Sequence, residues 1–178
     1  KAASVANASG LIGDGDWVIW LDADEFLNIH TGQGRVQDLT EAMGTAQAML
    51  IPWRIFGDGG NAVFPGRFIS SAFSRAAGPD HEGNRIIKTL FRHRDEATRL
   101  SAIANHRPHL LRRHAIAPDE VLNAAGRPID MTFPVNRRWI AGVEGKANFR
   151  IPETDFDWSL AQINHYMLRT REMFDLKA

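Results

Sequence analysis

Cysteine is absent from the 178 residues, which removes disulfides, thiolate nucleophiles and zinc-thiolate centres together and fits a reducing compartment. A surplus of either charge is missing too. The 21 Lys and Arg offset 21 Asp and Glu, so no overall field steers the chain toward nucleic acid or an anionic membrane. No apolar run comes near the ~20 residues that span a bilayer, and the opening KAASVANASG lacks a signal peptide's apolar core. Two glycine-rich stretches, GLIGDGD (10–16) and FGDGG (56–60), are not phosphate cradles. Neither runs into Lys-Ser/Thr, and the first precedes a strand instead of opening a helix. The seven histidines contain no H-E-x-x-H, so His109 and His114 read as surface or packing residues. Repeats and low-complexity tracts are also lacking. What remains, 44% hydrophobic and 24% charged residues, is enough for one sizeable core, and residues 1–178 are expected to form a single domain.

The pattern along the chain alternates between strand and helix. Trp17–Leu21 is a short apolar strand bounded by Gly13 and Gly15, and it leads through an acidic turn and a loop to Val36, Leu39 and Met43 at helical spacing. Met49–Trp53 and Ile86–Phe91 are two further strand candidates. Pro118, Pro128, Pro134 and Pro152 punctuate the next stretch and argue against long helices there. A last strand near Leu160–Asn164 runs into INHY, after which Thr170 is placed to cap a helix carrying Glu172, Met173 and Phe174.

The acidic turn carries the chemistry. In WVIWLDADEF (17–26), Asp22 and Asp24 stand one residue apart at the carboxyl end of a strand expected to be buried. A tight turn there lets both reach one divalent cation, and hard oxygen ligands suit Mg²⁺ or Mn²⁺. Strand ends are also where open α/β sheets hold ligands. The plainer alternative is a solvated turn. Three neighbouring acids, Asp22, Asp24 and Glu25, nevertheless repel one another unless a cation or basic groups compensate them.

These residues resemble the D-x-D-E-F signature of GT-A glycosyltransferases of the family 2-like and family 92-like group. Further blocks resemble the same group in the same order: IPWRIFGDGG its W-x-x-F-G segment, RIIKTLFR its K-x-x-x-R strand, NHRP its downstream His, and INHYMLRTREMFDLK its H-Y-x-x-(K/R)-(S/T)-x-E-x-F-x-x-K ending. Arg169 and Thr170 replace the commoner Lys-Ser. The resemblance implies an α/β chain with a mixed sheet, part of a Rossmann-like GT-A fold for nucleotide-diphospho-sugar transfer. Lys1 stands where an initiator Met is expected, and the nucleotide-binding strands that precede D-x-D in that fold are not seen. The expectation is therefore a carboxyl-terminal portion, inactive alone.

The implied activity is metal-dependent, inverting transfer of a sugar from a nucleotide-sugar donor to a glycan, polysaccharide or other hydroxyl acceptor. Asp24 is the implied main ligand of Mn²⁺ or Mg²⁺, Asp22 lies near the ribose or the cation's water shell, and Glu25 supports the site or points into the sheet. His165 is the implied second-region ligand. Trp53 either stacks on a donor's sugar or base face or is core. Lys88 and Arg92, four apart on one strand face, either bind phosphate or acceptor or are surface charge. His106 either orients substrate or sits in a hydrogen-bonded turn with Arg107 and Pro108. Asp58 and Glu144 are the candidate bases for the acceptor hydroxyl, and spacing does not choose between them. Two other classes compete. Aspartyl phosphatases also begin with D-x-D, but they follow it with Gly and Thr or Val. A non-catalytic carbohydrate-binding or pseudoenzyme domain would suit a chain lacking half a nucleotide pocket. The setting expected is cytoplasmic and bacterial in type, with any membrane association supplied by regions or partners beyond these residues.

Overall fold

The computed structural model describes residues 5, 6, 8–99, 106–143, 149–167, 170, 172 and 175. In chain order the strands are β1 (Trp17–Ile19), β2 (Glu25–Ile29), β3 (Ala48–Ile55), β4 (Ile87–Arg92), β5 (Thr98–Arg99), β6 (His109–Leu110), β7 (Val121–Asn123) and β8 (Ala161–His165). The helices are α1 (Val36–Ala42), α2 (Ile69–Ala72) and α3 (Pro134–Ile140). Among the described residues this is a mixed α/β fold. Six strands form one curled, mixed sheet in the order β1-β4-β3-β8-β2 with β7 also on β3, and β5 pairs with β6 apart from it.

The sheet is organised on β3, whose AMLIPWRI run is the near-continuous apolar sequence of a strand covered on both faces. Along one edge it pairs antiparallel with β4, from Ala48 opposite Phe91 to Pro52 opposite Ile87. The other edge is divided. Ala48–Leu50 pair in parallel with β7, and Trp53–Ile55 pair in parallel with β8. Pro52 stands where the partner changes, so its missing N–H falls at the seam of the ladder.

Side-chain alternation along β3 builds two cores. Met49, Ile51 and Trp53 pack with Leu39 and Met43 from α1 and its end, Leu90 of β4 and Ile163 of β8. Ala48 and Leu50 face the opposite way, onto Ile87, Phe91, Val121 and Ile140 of α3. The same alternation places Glu25, Lys88 and His165 on the first-core face, because Leu27, Leu90 and Ile163, two residues from each, pack there. The inner face is therefore apolar along most of its length and polar at one end.

Two expectations change. The strand leading to the acids was read as buried, but β1 is three residues long, half-buried, and lies at the end of the sheet order beside β4. An outermost strand has a neighbour on one side only, which leaves its apolar side chains half covered. The stretch after the acids was read as loop, but EFLNI is β2, antiparallel to β8 with Glu25 opposite His165. The acidic turn thus links β1 and β2, the two ends of the sheet order. Met173 and Phe174 of the expected last helix lie outside the described residues, while Thr170 is buried.

Candidate functional site

The acidic turn is closed by its own residues. Glu25 N–H donates to the Asp22 carbonyl at 3.0 Å, and Glu25 Oε2 accepts from the Asp22 N–H at 2.8 Å. The turn is also tied to the last strand, since Tyr166 N–H donates to the Asp24 carbonyl at 3.0 Å. The DADE and INHY segments, distant in sequence, therefore form one unit.

Lys88 supplies the compensating charge. Its Nζ lies 2.8 Å from Asp22 Oδ2 and 3.1 Å from Glu25 Oε2, and its side chain is 0% exposed. This excludes the surface-charge reading of Lys88. Its ammonium is engaged by the protein's own carboxylates. Asp22, 51% exposed, is turned toward Lys88, whereas Glu25 is enclosed and points into the sheet, one of the two alternatives expected of it, while its carboxylate closes the turn. Arg92, four residues on, donates from Nε to the Gly15 carbonyl at 3.0 Å and so braces the loop before β1.

Asp24 meets His165. Nε2 of the imidazole lies 3.7 Å from Asp24 Oδ1, with both side chains largely enclosed. Burial lowers the His165 pKa from its ordinary 6.5, and this outweighs Glu25 and Asp24, which favour the charged ring; Lys88 adds to the lowering. At neutral pH the ring is accordingly uncharged and able to offer a nitrogen lone pair. Its other nitrogen, Nδ1, is buried without a hydrogen-bond partner, as are Glu25 Oε1 and Trp53 Nε1.

Aromatic rings wall this end of the core. The Trp53 ring lies 4.0 Å, centroid to centroid, from that of His165 and 5.8 Å from that of His106. Trp53 is 8% exposed and belongs to the first core. The stacking expectation is corrected on that ground, because a platform for a sugar or base needs an open ring face. His106 is fixed by an Nδ1 hydrogen bond to the Ile87 carbonyl at 2.7 Å and packs on Phe149. Its ring is thus held against β4, and burial lowers its pKa despite that bond. His109 is half-buried in β6, and His114 is exposed.

Asp58 lies elsewhere on the same sheet end. Just past β3, its carboxylate accepts from Gly60 N–H at 2.9 Å and lines a cavity of about 290 Å³ with Arg75 and His81. Phe56 N–H donates to the His165 carbonyl at 2.9 Å, which sets the FGDGG loop beside the end of β8. Glu144 lies outside the described residues.

The arrangement thus brings together Asp22, Asp24, Glu25, Lys88 and His165, sets Trp53 and His106 behind them, and leaves Asp58 in a neighbouring cavity. Among the described residues no group of three or more His, Asp or Glu is disposed to hold a metal ion, and no helix is long and apolar enough to cross a membrane. Comparison with family models, with curated proteins and with solved structures finds no match for the chain, so a functional reading rests on the residues themselves.

Proposed function

We propose that the chain carries the donor-diphosphate end of a metal-dependent GT-A glycosyltransferase, with Asp24 and His165 as the residues that would hold Mn²⁺ or Mg²⁺. The observation that carries this reading is the approach of Asp24 Oδ1 to His165 Nε2 at 3.7 Å from opposite ends of the chain. Two protein donors suffice for such an ion. Mg²⁺-like cations keep several waters and are held by one or two carboxylates together with substrate phosphates, so a cluster of three protein ligands is not required.

When bound, the cation would supply charge neutralisation for a departing nucleoside diphosphate. The chain's own groups set up that environment. Lys88 fixes Asp22 and Glu25 in place, and Asp24 is the acid of the turn that faces the histidine. Asp58, in the adjoining cavity, is the described residue placed to take a proton from an acceptor hydroxyl bound there. The sheet, split along β3 between β7 and β8, is compatible with part of a GT-A fold.

A second reading, a carbohydrate-binding or pseudoenzyme domain without metal, is favoured by the hold of Lys88 on Asp22, which neutralises part of the acidic turn without any ion. Calorimetric titration with a panel of nucleotide sugars separates the two. Binding that requires Mn²⁺ or Mg²⁺ supports the transferase reading. Metal-independent binding of free sugars, with no metal-dependent binding of nucleotide sugars, replaces it with the second.

A further inference from the structure

The cavity past the end of β3 lies between the FGDGG loop and residues 75–81, with Ile55, Ala76 and Ala77 as apolar lining and Asp58, Arg75 and His81 as polar lining. Its walls are tied together by the backbone. Phe56 bridges Ala76, Gly57 N–H donates to the Arg75 carbonyl at 3.1 Å, and Ala77 N–H donates to the Ile55 carbonyl at 2.8 Å. Asn84, 0% exposed, fastens them from below, accepting from Ile55 N–H at 3.1 Å and donating to the Gly78 carbonyl at 2.8 Å. Such a cavity is preformed. Its polar groups differ in what they offer. Asp58, steadied by the Gly60 N–H, can only accept. The His81 ring is seated on Gly83, where an added Cβ would lie 3.0 Å from its Nδ1 and Cε1 and would collide with Ile55 Cδ1. Its Nδ1 accepts from the Gly83 N–H at 3.1 Å, so Nε2 carries the proton and donates. Arg75 adds a cation, and among the described residues its guanidinium has no ion-pair or hydrogen-bond partner.

We propose that this cavity binds a hexuronate, the carboxylate-bearing sugar of an acidic glycan, with Arg75 taking the carboxylate and Asp58 and His81 taking ring hydroxyls. A guanidinium meets a carboxylate through two parallel hydrogen bonds, which fixes the orientation of the sugar as well as its charge. Hydroxyls both donate and accept, so the pairing of an acceptor with a donor suits them. The charge balance selects among anions. Arg75 and Asp58 offset each other, so a singly charged carboxylate is accommodated, whereas a phosphate of about −1.5 to −2 meets the repulsion of Asp58. The volume of about 290 Å³ lies at the lower end of ligand pockets and suits one sugar ring instead of an extended chain. The inference rests on the proposed glycosyltransferase reading only in calling this sugar the acceptor: the Phe56 N–H bond to the His165 carbonyl sets the cavity beside the proposed cation site, with Asp58 at the hydroxyls.

The test is made on the metal-free 178-residue chain by calorimetric titration and saturation-transfer NMR. The probes are the methyl glycosides of glucuronic, galacturonic and mannuronic acids, their neutral hexose counterparts, and the hexose 6-phosphates. At least one hexuronide should bind about tenfold or more tightly than its neutral counterpart and than the matching phosphate. Arg75→Gln should bring the hexuronide and the neutral glycoside within about twofold of each other, and His81→Ala should weaken both. Arg75 and His81 are exposed, so circular dichroism should stay as in the parent. A parent that binds none of the hexuronides, a phosphate that binds as well as the acid, or an acid preference that survives Arg75→Gln overturns the proposal. The outcome is separable from that of the proposed function. Hexuronide binding without metal-dependent binding of nucleotide sugars keeps this site and moves the chain to the carbohydrate-binding reading, whereas the reverse result keeps the transferase reading and removes this site.

Discussion

Lys88 and Glu25 meet at 3.1 Å with both side chains 0% exposed, an ion pair enclosed between β4 and the acidic turn. Removing one partner of a buried pair leaves the other charge uncompensated, which typically costs about 3–5 kcal/mol. Lys88→Met should therefore destabilise the chain by about that amount in urea unfolding. The double variant Lys88→Met, Glu25→Gln should recover most of the loss. A single-variant loss below about 1 kcal/mol would show that the pair is solvated.

His106 gives a pH dependence. Burial lowers its folded-state pKa below the ordinary 6.5, so below that pH the unfolded chain binds the proton that the folded chain refuses. Stability should fall as the pH drops from 6.5 toward the folded value, with no contribution from His106 above 6.5, where both forms are neutral. An NMR titration should place the His106 midpoint under 6.5, and His106→Gln should flatten this part of the stability profile. A midpoint at or above 6.5 contradicts the packing described around the ring.

The loop into α1 offers a test of the backbone. Gly32 has φ +57, and a Cβ there would lie 2.6 Å from Asp38 Cγ, the carboxylate of which accepts from Gln33 N–H and Arg35 N–H at 2.9 Å each. Gly32→Ala should cost about 1–3 kcal/mol through the strained conformation, read as a lowered thermal midpoint. Gly44, also at positive φ but with open space around its Cβ position, should lose less on the same change.

Much of this arrangement is legible in the residues. Helical spacing located Leu39 in α1 and Met43 at its end, and apolar runs located β3, β4 and β8, because packing periodicity is local. The EFLNI strand was missed because an acid at its head reads as turn, and only its pairing with β8 makes it a strand. Lys88 was left between a phosphate or acceptor ligand and surface charge, because sequence shows a charge but not the two carboxylates that allow it to be buried. Arg107 is similar. Read as part of a turn, it is 2% exposed and donates from Nη2 to Asn136 Oδ1 at 2.8 Å. Burial lowers its pKa to about 10, and its partner lies in a helix that no local pattern connects to it. The convergence of Asp24 with His165 was expected from the resemblance, not from spacing.

The histidines separate a ligand role from general effects of charge or bulk. His165→Ala should weaken Mn²⁺ binding by tenfold or more, since it removes one of the two proposed protein donors. His109→Ala, at a half-buried position in β6 away from the turn, should leave it within twofold. Equal losses in both variants would point to a structural cause and remove His165 from the site.

The most direct test of the account is Mn²⁺ binding by the parent chain and by Asp24→Asn, followed by electron paramagnetic resonance with and without a panel of nucleoside diphosphates. The account predicts that the parent binds Mn²⁺, that at least one nucleoside diphosphate tightens the binding, and that Asp24→Asn loses at least tenfold in affinity with its thermal unfolding close to that of the parent. Mn²⁺ binding that is the same in Asp24→Asn as in the parent, or a parent that binds no Mn²⁺ even with every diphosphate tried, would contradict it.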